Sequence, residues 1–389
     1  MPARRFAFVA PNYHPRTCGV ADHSMRLVQE LQRRGFECAI FTRTPAQTNP
    51  AALDVKVTGV SGPTPLVIAE RIRRQVEAFA PTDVVLQYTP QMFGASRFGS
   101  PASVWLAHAA RRLGCNVVVL AHELYLPWSK RPDVTLGAAL MHLQLAAVLT
   151  AADRLLVTVE RRAHQISALA GAVGRRDRIG VVRVGPGALP IKKAARAGRR
   201  LRLGTFSTFG KDKRFYALLD CFRIVHARRP DAELVILGDL GADSDRRVRA
   251  FRRAISEHPA AANIRTPGKQ DLATIAGEIA ELDVYLFTMQ TGANTRSSTL
   301  PVALGTGLPV VATRGVETDD LFVDGVNVMF ADRLSGDSFA AAVLALAERN
   351  DLAERLSQGA MALYDAHLRW DKIGEQLLAQ IDGRPSRVS

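Results

Sequence analysis

Short uninterrupted apolar runs recur along this chain, separated by longer stretches in which apolar positions return every three or four residues. In the first half the runs lie at residues 6–10, 38–42, 83–87, 116–121, 154–159 and 179–184. A run apolar on both alternating faces is the mark of a strand covered on both sides. Between them, residues 21–34, 65–79, 102–113, 136–152 and 160–170 carry helical spacing, with stops at Gly35, before Pro81 and at Gly114. Residues 186–200 break the alternation: Pro186, Gly187 and Pro190 lead into a Lys/Arg/Ala/Gly stretch with no apolar face. A second series then begins. Strands are expected at 202–206, 233–238, 263–265, 283–287, 309–313 and 328–330, and helices at 215–227, 245–257, 271–280, 298–305, 335–348, 351–368 and 370–381. The pattern predicts an α/β protein with two doubly wound parallel sheets. The expected division is 1–190, a linker at 191–200, a second domain at 201–368 and a terminal segment at 369–389. Ligands of such sheets bind at the carboxyl ends of the strands, and a cleft between two such domains is the expected site.

Length agrees with two domains, since 389 residues exceed what one simple core holds. A hydrophobic content of 47% is that of a globular chain. No charge-free apolar run of about 18 residues is read, so no membrane-crossing helix is expected. The basic start followed by residues 6–10 faintly imitates a signal peptide, but Pro11 ends the apolar run early and a first strand is the better reading. Cys18, Cys38, Cys115 and Cys221 are scattered without metal-ligand spacing, which predicts a reduced, cytoplasmic setting.

Charge changes the picture. The 51 Lys and Arg residues exceed the 37 Asp and Glu residues, for a net +14. The clusters at 71–74, 175–178, 192–193, 199–202 and 246–253 are dispersed, aromatics are only 6%, and no nucleic-acid motif occurs, so no nucleic-acid partner is expected. An anionic donor, a polyanionic acceptor, an anionic membrane face or a plainly solvated basic surface each accounts for the excess.

The densest candidate chemistry lies at residues 291–313, TGANTRSSTLPVALGTGLPVVAT. Asn294, Thr295, Ser297, Ser298 and Thr299 cluster around Arg296 between an expected strand and helix. That unit suits an anion at a helix N-terminus, with a guanidinium beside it; an ordinary loop with capping hydroxyls fits equally. In the loop after the first strand of the second domain, Lys211, Lys213 and Arg214 stand among Gly, Ser and Thr, a composition suited to a diphosphate or to a solvated turn. His122 follows a strand, where an imidazole can donate a hydrogen bond or titrate near neutrality. Taken bare, it is as readily structural. Gly19, before an expected helix, would let a ligand approach the backbone. Cys18 reads as a buried filler, since no paired base is in view.

Taken together, these motifs resemble the retaining GT-B glycosyltransferases of family 4, group 1. The resemblance rests on "GLPVVAT" after a small-residue helix and on the G-x-x-x-R-S-x-T-L loop at 292–300. It also rests on "CGVADHS" at 18–24, "DVVLQY" at 83–88, "HE" at 122–123 and Trp370-Asp371-Lys372-Ile373. It covers nearly the whole chain and implies a GT-B fold, two Rossmann-like domains facing a central cleft, with the last helix crossing back to the first domain. The implied reaction moves a sugar from a nucleotide-sugar donor to a glycan, lipid-linked or small-molecule acceptor with retention, and with neither cofactor nor metal. The rivals are a sugar-nucleotide epimerase, a phosphorylase, or an inactive sugar- or polyanion-binding subunit.

The resemblance implies catalytic roles for His122, Lys213 and Arg296. It implies donor contacts at Gly19, Arg214, Gly238, Gly268, Asn294, Thr295, Ser297, Ser298, Thr299 and Glu317. Asp22, His23, Gln87, Tyr88 and Glu123 fall on the acceptor side. The chain also departs from the family. Thr208 stands where an Arg is usual, and the Glu-x7-Glu pair, whose second member binds ribose, reads Asn294 and Val302. The implied location is cytoplasmic, with peripheral association to an anionic membrane as an option.

Overall fold

The computed structural model describes residues 4–13, 19–43, 55–94, 96–193, 200–332 and 334–383. It divides into two compact units, Met1–Val184 with Trp370–Ser389, and Gly185–Arg369. The division falls at Gly185 and Trp370, against the expected 190 and 369. Most of the expected linker, including residues 194–199, lies outside the described residues, as does Cys18.

The first unit carries seven parallel strands in the order β3-β2-β1-β4-β5-β6-β7. These are β1 (Arg5–Val9), β2 (Glu37–Arg43), β3 (Lys56–Val60), β4 (Asp83–Tyr88), β5 (Asn116–Ala121), β6 (Arg154–Val157) and β7 (Ile179–Val181). The reversal of order at β1/β4 is the topological switch point. Helices α1 (Gly19–Arg33), α2 (Pro65–Phe79), α3 (Ala102–Arg112), α4 (Pro132–Ala151) and α5 (Glu160–Ala172) connect them. Arg4 grips Asp83 with two bonds of 2.9 and 3.0 Å, and Asn116 Nδ2 donates to the same carboxylate at 2.8 Å. The amino ends of β1, β4 and β5 are thereby tied together.

Edge strand β3 had no strong sequence signal. Its residues KVTGV contain a lysine and a glycine and none is fully buried, so the apolar run that marks a central strand is missing. Helix α4 starts at Pro132, earlier than the expected 136, because proline at the first helical position needs no N–H partner. It also corrects the expectation of no long apolar helix. Pro132–Ala151 is long and apolar enough to cross a membrane by length and composition, with mean hydropathy 1.7. His142 and Gln144 interrupt the apolar letters without adding charge. Its buried residues, among them Met141, Leu145 and Val148, pack into the first unit's core.

The second unit carries six parallel strands in the order β10-β9-β8-β11-β12-β13. They are β8 (Arg202–Phe206), β9 (Glu233–Leu237), β10 (Ile264–Gly268), β11 (Val284–Phe287), β12 (Val310–Thr313) and β13 (Met329–Ala331). The helices are α6 (Phe215–Arg228), α7 (Arg246–Ser256), α8 (Leu272–Ala280), α9 (Leu300–Thr306), α10 (Gly336–Glu348) and α11 (Asn350–Leu363), followed by a π-helical turn at Tyr364–Leu368. The last helix, α12 (Trp370–Ile381), packs on α1, β6 and β7 of the first unit.

Candidate functional site

In the second unit, three loops meet at the carboxyl ends of the central strands. The loop after β8 turns through a short 3-10 helix, Lys211–Lys213, and Arg214 takes a left-handed conformation, φ 48°, to start α6. Gln290 N donates to Asp212 O at 2.7 Å and Thr288 Oγ1 donates to Lys213 O, which fixes this loop against the one after β11. Burial holds the Lys213 ammonium below its ordinary pKa of 10.5; Asp212 opposes that effect and the Arg296 charge adds to it. Two cations far apart in sequence therefore lie in the loops that follow adjacent strands, β8 and β11. The Arg296 guanidinium lies 3.4 Å from the Glu317 carboxylate, which comes from the loop after β12.

The loop that bears Arg296 is held from inside. Asn294 is fully buried; its Nδ2 donates to Gly292 O at 2.8 Å and its Oδ1 accepts from Arg296 N at 3.2 Å. Thr295 is 1% exposed and donates through both N and Oγ1 to Asp319 Oδ2, each at 2.6 Å. Both were expected to touch the donor; instead they shape the loop, because their polar groups are spent on the backbone and on a buried carboxylate. Gly292, at φ 91°, and Gly315 lie back to back: a Cβ on Gly292 would fall 2.4 Å from Gly315 N, and one on Gly315 2.4 Å from Thr291 C. Only glycines allow the loops after β11 and β12 to interlock so closely.

Helix α9 begins at Leu300, not at the expected 298, and is seven residues long. Ser297 Oγ accepts from Thr299 N at 3.3 Å and from Leu300 N at 3.4 Å, while Ser297 N donates to Asn294 O. The N–H groups of Ser297 and Thr299, two of the three expected to face an anion at residues 297–299, are thus used within the loop. Thr299 lines a small pocket with Thr205, Ser207, Lys213 and Thr288. Ser298 is half-buried and its carbonyl accepts from Gly187 N at 2.8 Å.

Other expected residues fall elsewhere. Arg214 lines a separate open cavity with Tyr216, Arg223, Arg246 and Leu334, not the pocket that Lys213 lines. Gly238, at φ 105°, is required by packing, since a Cβ there would stand 2.5 Å from Ser207 O. Gly268 ends edge strand β10, two strands away from β8. Val302, at the position where family members bind ribose, is fully buried in the unit's core. Asp319 and Gly315 were not anticipated. The signal for Asp319 was the Asp319-Asp320 pair just beyond a buried strand, an unusual place for carboxylates without work to do.

In the first unit, β4 and β5 run side by side with Tyr88 opposite Ala121, so Gln87 and His122 meet at their carboxyl ends. His122 Nε2–H donates to Gln87 Oε1 at 2.6 Å, which assigns the tautomer. The His23 ring, from α1, stands edge-on to His122 with centroids 5.1 Å apart and tilted to Trp370 at 5.5 Å. Burial pushes the His23 imidazole down to about 4. Burial also holds His122 well below 6.5, with the His23 and Arg162 charges acting in the same direction. His122 therefore does not titrate near neutrality as expected; both rings are neutral at pH 7.

Tyr88 is corrected outright: it is fully buried in the core, and its hydroxyl accepts from Gln144 Nε2 at 3.2 Å. Gln87 is fully buried and serves His122. Glu123 is exposed, and Asp22 is half-buried in the first turn of α1. Burial first, then the Asp22 charge, pushes the Tyr13 hydroxyl up to about 12. Gly19 is the first residue of α1 and belongs to this unit, not to the unit that carries Lys213.

Residues 17–186 match the family described as Glycosyltransferase Family 4, and residues 200–349 match Glycosyl transferases group 1. A comparison with curated proteins found no match. Among solved structures, the chain resembles Anabaena HepE in complex with UDP, at 13% identity and TM-score 0.72, over 97% of this chain and 99% of that one. A glycosyltransferase from Rickettsia africae gives 10% identity and TM-score 0.73, over 98% of each chain. A sucrose-phosphate synthase from Thermosynechococcus elongatus gives 12% identity and TM-score 0.70, over 96% of this chain and 97% of that one. At these identities the likeness establishes the fold: two parallel-sheet, Rossmann-like units of the GT-B type.

Proposed function

We propose, on the premise that the chain is a glycosyltransferase with a family 4 half and a group 1 half, that it moves a sugar from a nucleotide-sugar donor to an acceptor hydroxyl with retention of configuration. The observation that carries this is the placement of Lys213 and Arg296 in the loops after the adjacent strands β8 and β11, with Lys213 and Thr299 lining one small pocket there. Like charges brought together and dried repel each other, and an anion placed between them removes that cost. Breaking the bond from the sugar's anomeric carbon to the donor phosphate leaves a nucleoside diphosphate with a developing negative charge. Fixed cations at that point stabilise the departure without reorganising. The proton lost by the acceptor hydroxyl leaves with the diphosphate or with solvent. HepE is described in complex with UDP, and in another structure with UDP-glucose, which supports a uridine nucleotide as the first donor to test.

In this reading Glu317 orients Arg296, and Thr299 and Ser297 face the donor from the same loop. His122, neutral and anchored by Gln87, offers its remaining ring nitrogen to a sugar hydroxyl. The acceptor is a carbohydrate, a lipid-linked sugar or a small molecule. The test is a melting-temperature screen against nucleoside diphosphates and sugar nucleotides. At least one should stabilise the protein by RT ln(1 + [L]/Kd), and the gain should shrink in Lys213→Ala and Arg296→Ala. Stabilisation undiminished in both variants would refute the assignment. A second reading, a sugar-nucleotide epimerase, draws on the likeness to a putative UDP-N-acetylglucosamine 2-epimerase from Listeria monocytogenes, 13% identical with TM-score 0.60. Nucleotide release that requires an added acceptor separates transfer from epimerisation.

A further inference from the structure

Helix α4 buries one side in the first unit's core and leaves the other apolar and bare. Leu136, Leu140 and Leu143 are 54%, 39% and 67% exposed. Their spacing places them on one stripe about 10 Å long. Helix α3 runs beside and parallel to it: Ser103 meets Gln144, His108 reaches Ala147 O, and Arg111 reaches Ala151 O. Trp105 sits one turn before His108, and Leu143 one turn before Ala147, so the exposed Trp105 continues the stripe at its own level. Phe98 lies beside the buried flank, next to Gly99, whose Cβ would strike Gln144. On the other flank Trp128, 61% exposed, stacks on His142.

Cations bracket this stripe. Lys130 and Arg131 precede α4, and Arg97 shares Asp133 with Arg131. At the far end Arg112, two turns beyond Trp105 on the same face of α3, is exposed. Lys130 and Arg112 form no ion pair among the described residues. In two other basic clusters the charge is spent on carboxylates: Arg73 and Arg74 are paired with Glu70, and Arg202 with Glu233 and Glu281.

We infer that this α3–α4 face docks the protein on an anionic phospholipid bilayer, the leucine stripe entering the headgroup boundary and the bracketing cations meeting lipid phosphates. Tryptophan at the edge of an apolar surface is suited to that boundary, and a helix lying in the interface needs one apolar face and flanking cations. A second copy of this chain is the poorer occupant, since it would bring the same cations, on a protein of net charge +14, against each other. Crossing the bilayer is excluded for α4 in this fold. Its Gln144 is bonded within the unit to Tyr88, Pro90 and Ser103, and Met141, Leu145 and Val148 are core residues.

The inference goes beyond the proposed reaction and is tested apart from it. The full chain is mixed with vesicles of phosphatidylcholine alone and of phosphatidylcholine with an equal part of phosphatidylglycerol, and bound protein is separated by flotation. Binding is expected to the mixed vesicles only, and should weaken as salt rises. Leu140→Ser with Leu143→Ser should weaken it about tenfold or more, by the apolar area withheld from the bilayer, with unchanged thermal unfolding. Lys130→Gln with Arg112→Gln should weaken it and flatten its salt dependence, which keeps the test open if the serine variant folds poorly. No binding of the wild type to mixed vesicles overturns the inference. So does equal binding by both variants, or a leucine substitution that abolishes self-association while vesicle binding persists.

Discussion

The two units build their strand-end sites from the same topology and give them opposite electrical character. In the second unit the site is charged: Lys213 and Arg296 follow adjacent strands, Glu317 balances one of them, and a buried carboxylate, Asp319, clamps the loop. In the first unit the corresponding ends of β4 and β5 present neutral groups, His122 and Gln87, backed by His23 and Trp370. The sheet fixes where a site forms, and the residues just beyond each strand decide what it prefers. A diphosphate needs fixed cations; a sugar hydroxyl needs uncharged donors and acceptors in a dry setting. The contrast can be broken experimentally.

The largest effect is expected at the clamp. Asp319→Ala strips the partner from Thr295 N and Oγ1, and each buried donor left unmet costs about 1–3 kcal/mol. A stability loss of about 2–5 kcal/mol by denaturant unfolding is expected, together with loss of nucleotide binding. Glu123→Ala in the exposed position of the first unit should change stability by less than about 0.5 kcal/mol. Equal small effects would mean that the charged loop does not depend on its carboxylate.

Next is the pH response of the neutral site. His23 has a folded pKa of about 4 against the ordinary 6.5, so between those values the unfolded chain binds more protons. Stability is then present above pH 6.5 and is lost as pH falls towards 4, by about 3 kcal/mol in all. Unfolding followed from pH 7.5 down to 4.5 should show this slope, and His23→Phe should flatten it. An unchanged slope in the variant would place the acid sensitivity elsewhere.

For the cation pair, Lys213→Ala and Arg296→Ala should each weaken nucleoside diphosphate binding about tenfold to a hundredfold or more, the worth of a charge-assisted bond of about 1.5–3 kcal/mol. Neither should lower the melting temperature much, since the Lys213 charge is desolvated at a cost in the free protein. Because Lys213 titrates below 10.5, affinity should decline with rising pH sooner than an ordinary lysine would allow. Calorimetry across alkaline pH checks this, and wild-type affinity in both variants would count against the pair.

The smallest effect concerns ribose. Val302 is buried where family members offer a carboxylate, so a ribonucleoside diphosphate and its 2′-deoxy form should bind within tenfold of each other, less than about 1.4 kcal/mol apart. A larger gap would show that Glu317 or another nearby group had taken over the ribose contact.

Much of the fold was legible because central parallel strands are apolar throughout. The central strands β1, β4, β5, β9, β11 and β12 announce themselves as such runs. Strand β3 did not, since an edge strand with Lys56 and Gly59 lacks the double burial that writes the pattern. At the sites, residue identity told which loops matter but not which way side chains turn. Lys213 and Arg296 are where charge is brought together, whereas Asn294, Thr295 and Tyr88 are turned inward by hydrogen bonds that no spacing rule reveals. Arg214 follows Lys213 directly, yet its left-handed backbone sends it to a different cavity.

The chain leaves its first unit after Val184 and returns to it only at Trp370. Ile373, Leu377 and Ile381 of α12 are buried with Phe6, Phe8 and Met25, so part of the first core is written after the whole of the second unit. During synthesis the N-terminal sheet emerges long before the helix that covers it. Until that helix arrives, the faces of α1 and β6 that it will cover stand open to water and to other chains. A ribosome-bound chain halted before Trp370 should therefore be more protease-sensitive in residues 19–33 than the released protein; equal sensitivity would show that the first unit closes without its last helix. A helix encoded after the whole second unit thus acts as a checkpoint, sealing the earlier-made unit only once everything between has been translated.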